Sequence, residues 1–168
     1  MTLLTTEIRR ARPADASAIA AVHEASWRQA YAGILPHRAL SAMVGRRDTA
    51  WWTRAIRQST RVLTLDIGGA VAGYATIGPN RVRSLPQGGE VYELYLAPQF
   101  QGLGFGRKLF LAARNDLRAG GRPGCIVWVL EDNTPALRFY ENAGGRDVAE
   151  GCETFDGRVL NKIAYSFD

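Results

Sequence analysis

The chain has 168 residues, 46% of them hydrophobic and 22% charged. That is enough for one sizeable core, too little for two ordinary domains, and too apolar for wholesale disorder. No run approaches the ~20 apolar residues of a bilayer-crossing helix, so no membrane span is expected. The N-terminus, MTLLTTEIRRA, places a short apolar patch before its arginines, the reverse of a secretory leader, and no long apolar segment follows Arg9-Arg10. A cytoplasmic location is therefore expected. Cys125 and Cys152 are too few for a disulfide scaffold and have no metal-ligand spacing; both read as small buried hydrophobes, and no metal is expected.

The net charge of +5 is uneven: residues 1–61 hold ten arginines against Glu7, Asp15, Glu24 and Asp48, while the remainder is balanced to −1. The arginines are scattered and no aromatic-interleaved basic stripe appears. Solvated helix faces explain them better than a nucleic-acid partner does.

In chain order, residues 7–11 read as a strand. Pro13-Ala14-Asp15 opens a helix in which Ile19, Val22, His23, Ser26, Trp27 and Ala30 recur at helical spacing to Tyr31. Gly33 and Pro36 break it, and a second helical stretch over about 37–58 is expected to be interrupted near Gly45. The period then changes. RVLTLDI and AVAGYATI flank Gly68-Gly69 as a hairpin, a Gly/Pro/Arg-rich loop spans 78–89, and VYELYLA is a strand ended by Pro98. Residues 104–119 form an amphipathic helix. CIVWVL (125–130) is apolar throughout, as a doubly covered strand should be. A helix runs from Thr134 to Ala143, and two strands, about 146–155 and 158–167, pair across Asp156-Gly157. This order describes a single α/β domain over 1–168, a mixed sheet with helices on both faces.

The informative stretch is EVYELYLAPQFQGLGFGR, Glu90 to Arg107. A strand passes through a loop with glycines at 102, 104 and 106 straight into a helix. Such a loop brings several backbone N–H groups together at a helix N-terminus carrying about half a positive charge, which is an anion cradle. A P-loop would require Lys-Ser/Thr after the last glycine, and a dinucleotide fingerprint would require glycine where Arg107 stands, after the first strand of a βαβ unit. Neither fits.

Gln101-x-x-Gly104-x-Gly106 does fit another pattern, and with it the chain resembles the GNAT (Gcn5-related N-acetyltransferase) superfamily. The strand ELYLAP before the loop and Asn133-x-x-Ala136-x-x-Phe139-Tyr140-x-x-x-Gly144 after it match the family's second signature in the right element order. The opening, with Asp15, Trp27, Tyr31 and Gly33, is similar to many bacterial members. Gln101 in place of the commoner arginine and Gly145 in place of a bulky apolar residue are the departures.

The resemblance implies a mostly antiparallel sheet of about seven strands, splayed between the fourth and fifth, and acetyl-CoA as acyl donor. Its pyrophosphate would lie on the backbone of Gln101, Gly102, Leu103, Gly104, Phe105, Gly106 and Arg107. Its pantetheine would lie along Leu94, Tyr95 and Leu96, beside Asn133 and Ala136. Homodimers are frequent in the family. It also implies direct attack by a primary amine through a tetrahedral intermediate, with Tyr140 as the acid that protonates the leaving thiolate. Spacing alone would make Tyr140 core, since Ala136, Phe139, Tyr140 and Ala143 share one helix face.

For the base, family members often use a glutamate on the 90–97 strand. Strict alternation puts Glu90 and Glu93 on opposite faces, so at most one faces the acceptor side unless a bulge intervenes. Glu93 is the preferred candidate. His23 is a weaker substrate contact, and Trp27, Tyr31, Trp51 and Trp52 either line an acceptor pocket or pack the core. The arginine-rich acceptor side suggests an acceptor with a negatively charged neighbouring group. The alternative reading of the whole is a non-catalytic acyl-CoA-binding sensor on the same fold.

Overall fold

The structure is a computed structural model and describes residues 3–58 and 61–168; the first two residues of the apolar N-terminal patch and residues 59–60 lie outside it. Strand β1 (Thr6–Arg10) leads through a 3-10 turn at Pro13–Asp15 into α1 (Ala16–Tyr31). Asp15 anchors this entry, taking two hydrogen bonds from the Arg9 guanidinium (2.7 and 3.0 Å) and one from the Arg12 amide. Arg9 thereby holds the Asp15 carboxyl below its usual range.

Helices α2 (His37–Arg46) and α3 (Thr49–Arg57) follow. The break falls at Arg47-Asp48, near Gly45 as expected, although Gly45 itself stays inside α2. Asp48 decides this, because its side chain accepts from the Trp51 amide at 2.8 Å and starts a new helix. Asp48→Ala is expected to lower the unfolding free energy by about 1 kcal/mol, read as a lower urea midpoint at unchanged slope.

The hairpin of β2 (Arg61–Ile67) and β3 (Ala70–Pro79) turns on Gly68 and Gly69, both at positive φ (62° and 88°), as a primed turn demands. Then come β4 (Gly89–Leu96), α4 (Phe105–Ala119), β5 (Cys125–Leu130), α5 (Thr134–Asn142), β6 (Arg146–Phe155) and β7 (Arg158–Phe167). The seven strands are ordered β1-β2-β3-β4-β5-β7-β6, and only β4 and β5 pair in parallel. Leu109, Phe110, Ala113 and Leu117 of α4 pack on one face of the sheet with Leu65, Ile77, Val91 and Val127. On the other face, Ile19 and Val22 of α1 meet Trp52, Val62 and Tyr74. Cys125 is buried between these layers, but Cys152 is exposed, because β6 is the edge strand. Among the described residues no helix is long and apolar enough to cross a membrane.

Candidate active site

The parallel pairing of β4 and β5 lasts only two residues, Gly89 with Cys125 and Glu90 with Ile126. Beyond them the strands part, and β4 keeps only its partner β3. The Ala97 amide donates to Ala72 on β3 at 2.8 Å. The two-residue period of an antiparallel strand then directs the backbone groups of Leu96 and Leu94 away from β3, into the gap. The Leu96 carbonyl is already taken there, by the Gln101 side-chain amide at 3.0 Å. Gln101 also donates to Gln29 (2.7 Å), so its side chain pins the loop to α1 and does not enter the cradle.

At the mouth of the gap stands the glycine loop. Gly102 and Gly104 both adopt positive φ (74° and 86°), and a Cβ built on either would meet nothing within 4 Å. These glycines therefore serve backbone conformation and not packing. At Gly106 the reason differs: a Cβ would lie 3.2 Å from Phe139, so glycine there lets α4 approach α5. No carbonyl of the described chain accepts from the amides of residues 102–107. The first amide of α4 with a partner is Lys108, to Gly104 at 3.4 Å. A row of free donors at the start of a 15-residue helix, beside the exposed Arg107 and Lys108, is suited to a diphosphate.

Inside the gap, Leu94, Val127, Asn133, Ala136 and Tyr140 line a cavity of about 50 Å³, with Glu93 at its edge. Asn133 caps α5, accepting from the Ala136 amide at 3.4 Å. Tyr140 packs edge-on to Phe110, Phe139 and Phe167, and its ring is core, as the helical spacing suggested. Tyr140 is also among the residues that line the cavity. Burial pushes the phenol well above its ordinary value, so it holds its proton at neutral pH.

A larger cleft of about 250 Å³ adjoins this cavity, walled by Trp27, Tyr31, Tyr95 and Trp128. Both Glu90 and Glu93 line it, which corrects the expectation from strict alternation. Thr76 pairs with Glu93 but Ile77 pairs with Val91, so Tyr92 is an extra residue in β4 and flips the face of everything before it. Val91 consequently joins Leu94 and Leu96 in the core.

The two carboxylates are nonetheless unlike. Glu90 is 1% exposed and is wholly engaged with Arg81, through its backbone amide (3.1 Å), Nε (3.4 Å) and Nη2 (2.6 Å). It ties the 80–88 loop to β4. Glu93 is partly exposed and sits in a polar network: Arg47 Nη1 lies 2.5 Å from Oε1, and the Tyr74 hydroxyl donates to Oε2 at 3.1 Å. Since Tyr74 spends its proton on Glu93, it accepts from His23 Nδ1 at 2.8 Å. Burial, with Arg47 nearby, pushes His23 down to about 3, so the ring is neutral at pH 7. His23 is thus a buried support of Glu93 with no direct place in the cleft. Trp52 likewise is fully buried core, whereas Trp27 and Tyr31 line the large cleft. Sequence reasoning missed Tyr74 and Arg47: one lies in an apolar strand run, the other among ten arginines in the first 61 residues.

The family model for the GNAT acetyltransferases matches residues 19–144, from α1 through the glycine loop to the end of α5. The chain belongs to the GNAT acetyltransferase family. It is 33% identical over 157 residues to the uncharacterized N-acetyltransferase YuaI of Bacillus subtilis, covering 93% of this chain and 89% of that protein. Among solved structures it shares the fold of the PaiA N-acetyltransferase of Thermoplasma acidophilum in complex with coenzyme A, with a TM-score of 0.76 at 20% identity over 97% of this chain and 99% of the other. It also resembles YncA of Salmonella typhimurium, solved with acetyl-CoA, with a TM-score of 0.71 at 22% identity over 97% and 93% of the two chains. This GNAT domain thus carries free amides in the loop that follows β4 and a cavity between the splayed β4 and β5 lined by Tyr140.

Proposed function

We propose that this chain transfers the acetyl group of acetyl-CoA to a primary amine by direct attack, without a covalent enzyme intermediate. The observation that carries this reading is the run of free amides at 102–107 in the loop that follows β4, together with the cavity between the splayed strands lined by Tyr140 and Glu93. The amides and Arg107 hold the diphosphate, and the Leu94 and Leu96 backbone holds the pantetheine arm. The thioester then lies between Glu93 on the acceptor side and Tyr140 on the opposite side.

The acceptor arrives as an ammonium, since a free alkyl amine has a pKa of about 10.4. Glu93 takes one proton and leaves a neutral amine. Nitrogen attacks the thioester carbon, and a backbone N–H freed by the splay supports the developing oxyanion. As the C–S bond breaks, the sulfur takes the Tyr140 proton. Nitrogen releases its second proton to water, and solvent exchange returns Glu93 and Tyr140 to their starting states.

The test is release of coenzyme A thiol with a broad amine panel. Turnover is expected with at least one amine class, and Glu93→Gln should lower kcat/KM by about 10²-fold while acetyl-CoA affinity stays unchanged. Acetyl-CoA binding without turnover on any amine would instead favour the sensor reading.

A further inference from the structure

Beyond the large cleft lies a second one of about 340 Å³, between α3, the end of β3 and the 80–88 loop. The two share Arg47, Arg81, Tyr92 and Glu93 as a common wall. Three guanidinium groups, those of Arg47, Arg54 and Arg81, line the second cleft, against Glu93 as the one carboxylate among its lining residues. Two of the three are held in place by aromatic rings, Arg47 over Trp51 and Arg81 over Tyr92, each 4.2 Å from the ring centroid.

Neither is exhausted by its acidic partner. A guanidinium carries five N–H donors, of which Arg47 spends one on Glu93 and Arg81 spends two on the buried Glu90. Arg54 has no carboxylate partner among the described residues. Glu90 and Glu93 cancel two of the three positive charges, and the cleft retains an excess of one. Stacked, half-satisfied guanidinia of this kind are pre-organised for a carboxylate or phosphonate, because little side-chain freedom remains to be lost on binding.

The position of the arginines relative to the chemistry is informative. Arg47 and Glu93 are in direct contact, so a positive and a negative pole stand side by side at the wall between the clefts. That pair is complementary to a zwitterion: an ammonium group would face Glu93 while an anionic group on the adjacent carbon reaches the spare donors of Arg47 and Arg54. The remainder of such a molecule would enter the first cleft, whose lining includes Trp27, Leu35, Met43, Trp128 and Phe155 beside the paired Glu153 and Lys162. An amine without the anionic group would meet Glu93 still paired with Arg47, and would have to displace a guanidinium to hand over its proton.

We infer that the acceptor is a compact zwitterion, an α-amino acid with an apolar or aromatic side chain, and that Arg47 and Arg54 determine this specificity. The inference rests on the proposed acetyl transfer for the role of Glu93, but its anion subsite is a matter of binding. The experiment compares acids with their decarboxylated twins, L-phenylalanine against phenethylamine and L-leucine against isoamylamine. Calorimetry on the protein saturated with coenzyme A reads affinity, and thiol release with acetyl-CoA reads turnover. Each acid is expected to bind the full-length protein at least ten-fold more tightly than its twin, and Arg47→Gln and Arg54→Gln should each bring that ratio toward one. Equal or weaker binding of the acids, no binding of any of the four, or a ratio untouched by both substitutions overturns the inference. Tighter binding of the acids without thiol release would leave the anion subsite standing and overturn the proposed acetyl transfer; thiol release with no preference for the acids would do the opposite.

Discussion

Tyr140→Phe is expected to reduce kcat by ten-fold or more, within the roughly 10²–10⁴ range of general acid–base contributions, and to leave both folding stability and acetyl-CoA affinity nearly unchanged. The two halves of that result come from different atoms. The ring supplies packing, with centroids 5.4 Å from Phe110 and 5.0 Å from Phe139, and phenylalanine keeps all of it. Tyr140 lines the cavity between the splayed strands, and among the described residues its hydroxyl has no hydrogen-bond partner. Its hydrogen-bonding capacity is therefore free for the sulfur of the acyl donor, and its removal costs the core little. If Tyr140 were only a core residue, the phenylalanine variant would turn over at the full rate. Urea unfolding and thiol-release kinetics on the same preparation separate these cases, and full activity would remove Tyr140 from the mechanism.

Gly104→Val should weaken acetyl-CoA binding by ten-fold or more, with secondary structure and melting temperature close to those of the parent. Gly104 sits at φ 86°, a conformation that strains a β-branched residue by about 1–3 kcal/mol. The loop relieves that strain most readily by rotating its peptides, which turns the amides of the cradle away from a common point. A Cβ at this position would meet nothing within 4 Å, so the substitution acts through the backbone. Lost binding would thus reflect the misaligned donors, and circular dichroism would report an intact fold. Unchanged affinity in calorimetry would mean that the diphosphate is held elsewhere.

Arg47 links the proposed chemistry to the proposed choice of acceptor. In the present arrangement its guanidinium is ion-paired with Glu93. An anionic acceptor would draw the guanidinium partly toward itself, so that the right substrate would also open Glu93 to its own ammonium group. An enzyme built this way discriminates through kcat as well as KM, since an unsuitable amine leaves the pair closed.

The amino-acid sequence by itself determined what depends on neighbours along the chain. The Gly68-Gly69 turn, the apolar run of β5, the glycine loop entering α4 and the Asn133 cap of α5 are each specified within a few residues, because backbone conformation and helix termini are local matters. The turns at Gly102 and Gly104 were legible for the same reason. Tertiary structure alone decided the surroundings of the two carboxylates. One extra residue at Tyr92 changes the face of β4, and that bulge exists only in the register between β4 and β3. Local pattern could not show that Arg47, 46 positions away, closes on Glu93, or that Tyr74, 19 positions away, braces it. Side chains so distant along the chain meet only after the sheet has formed and α1 to α3 have packed across it.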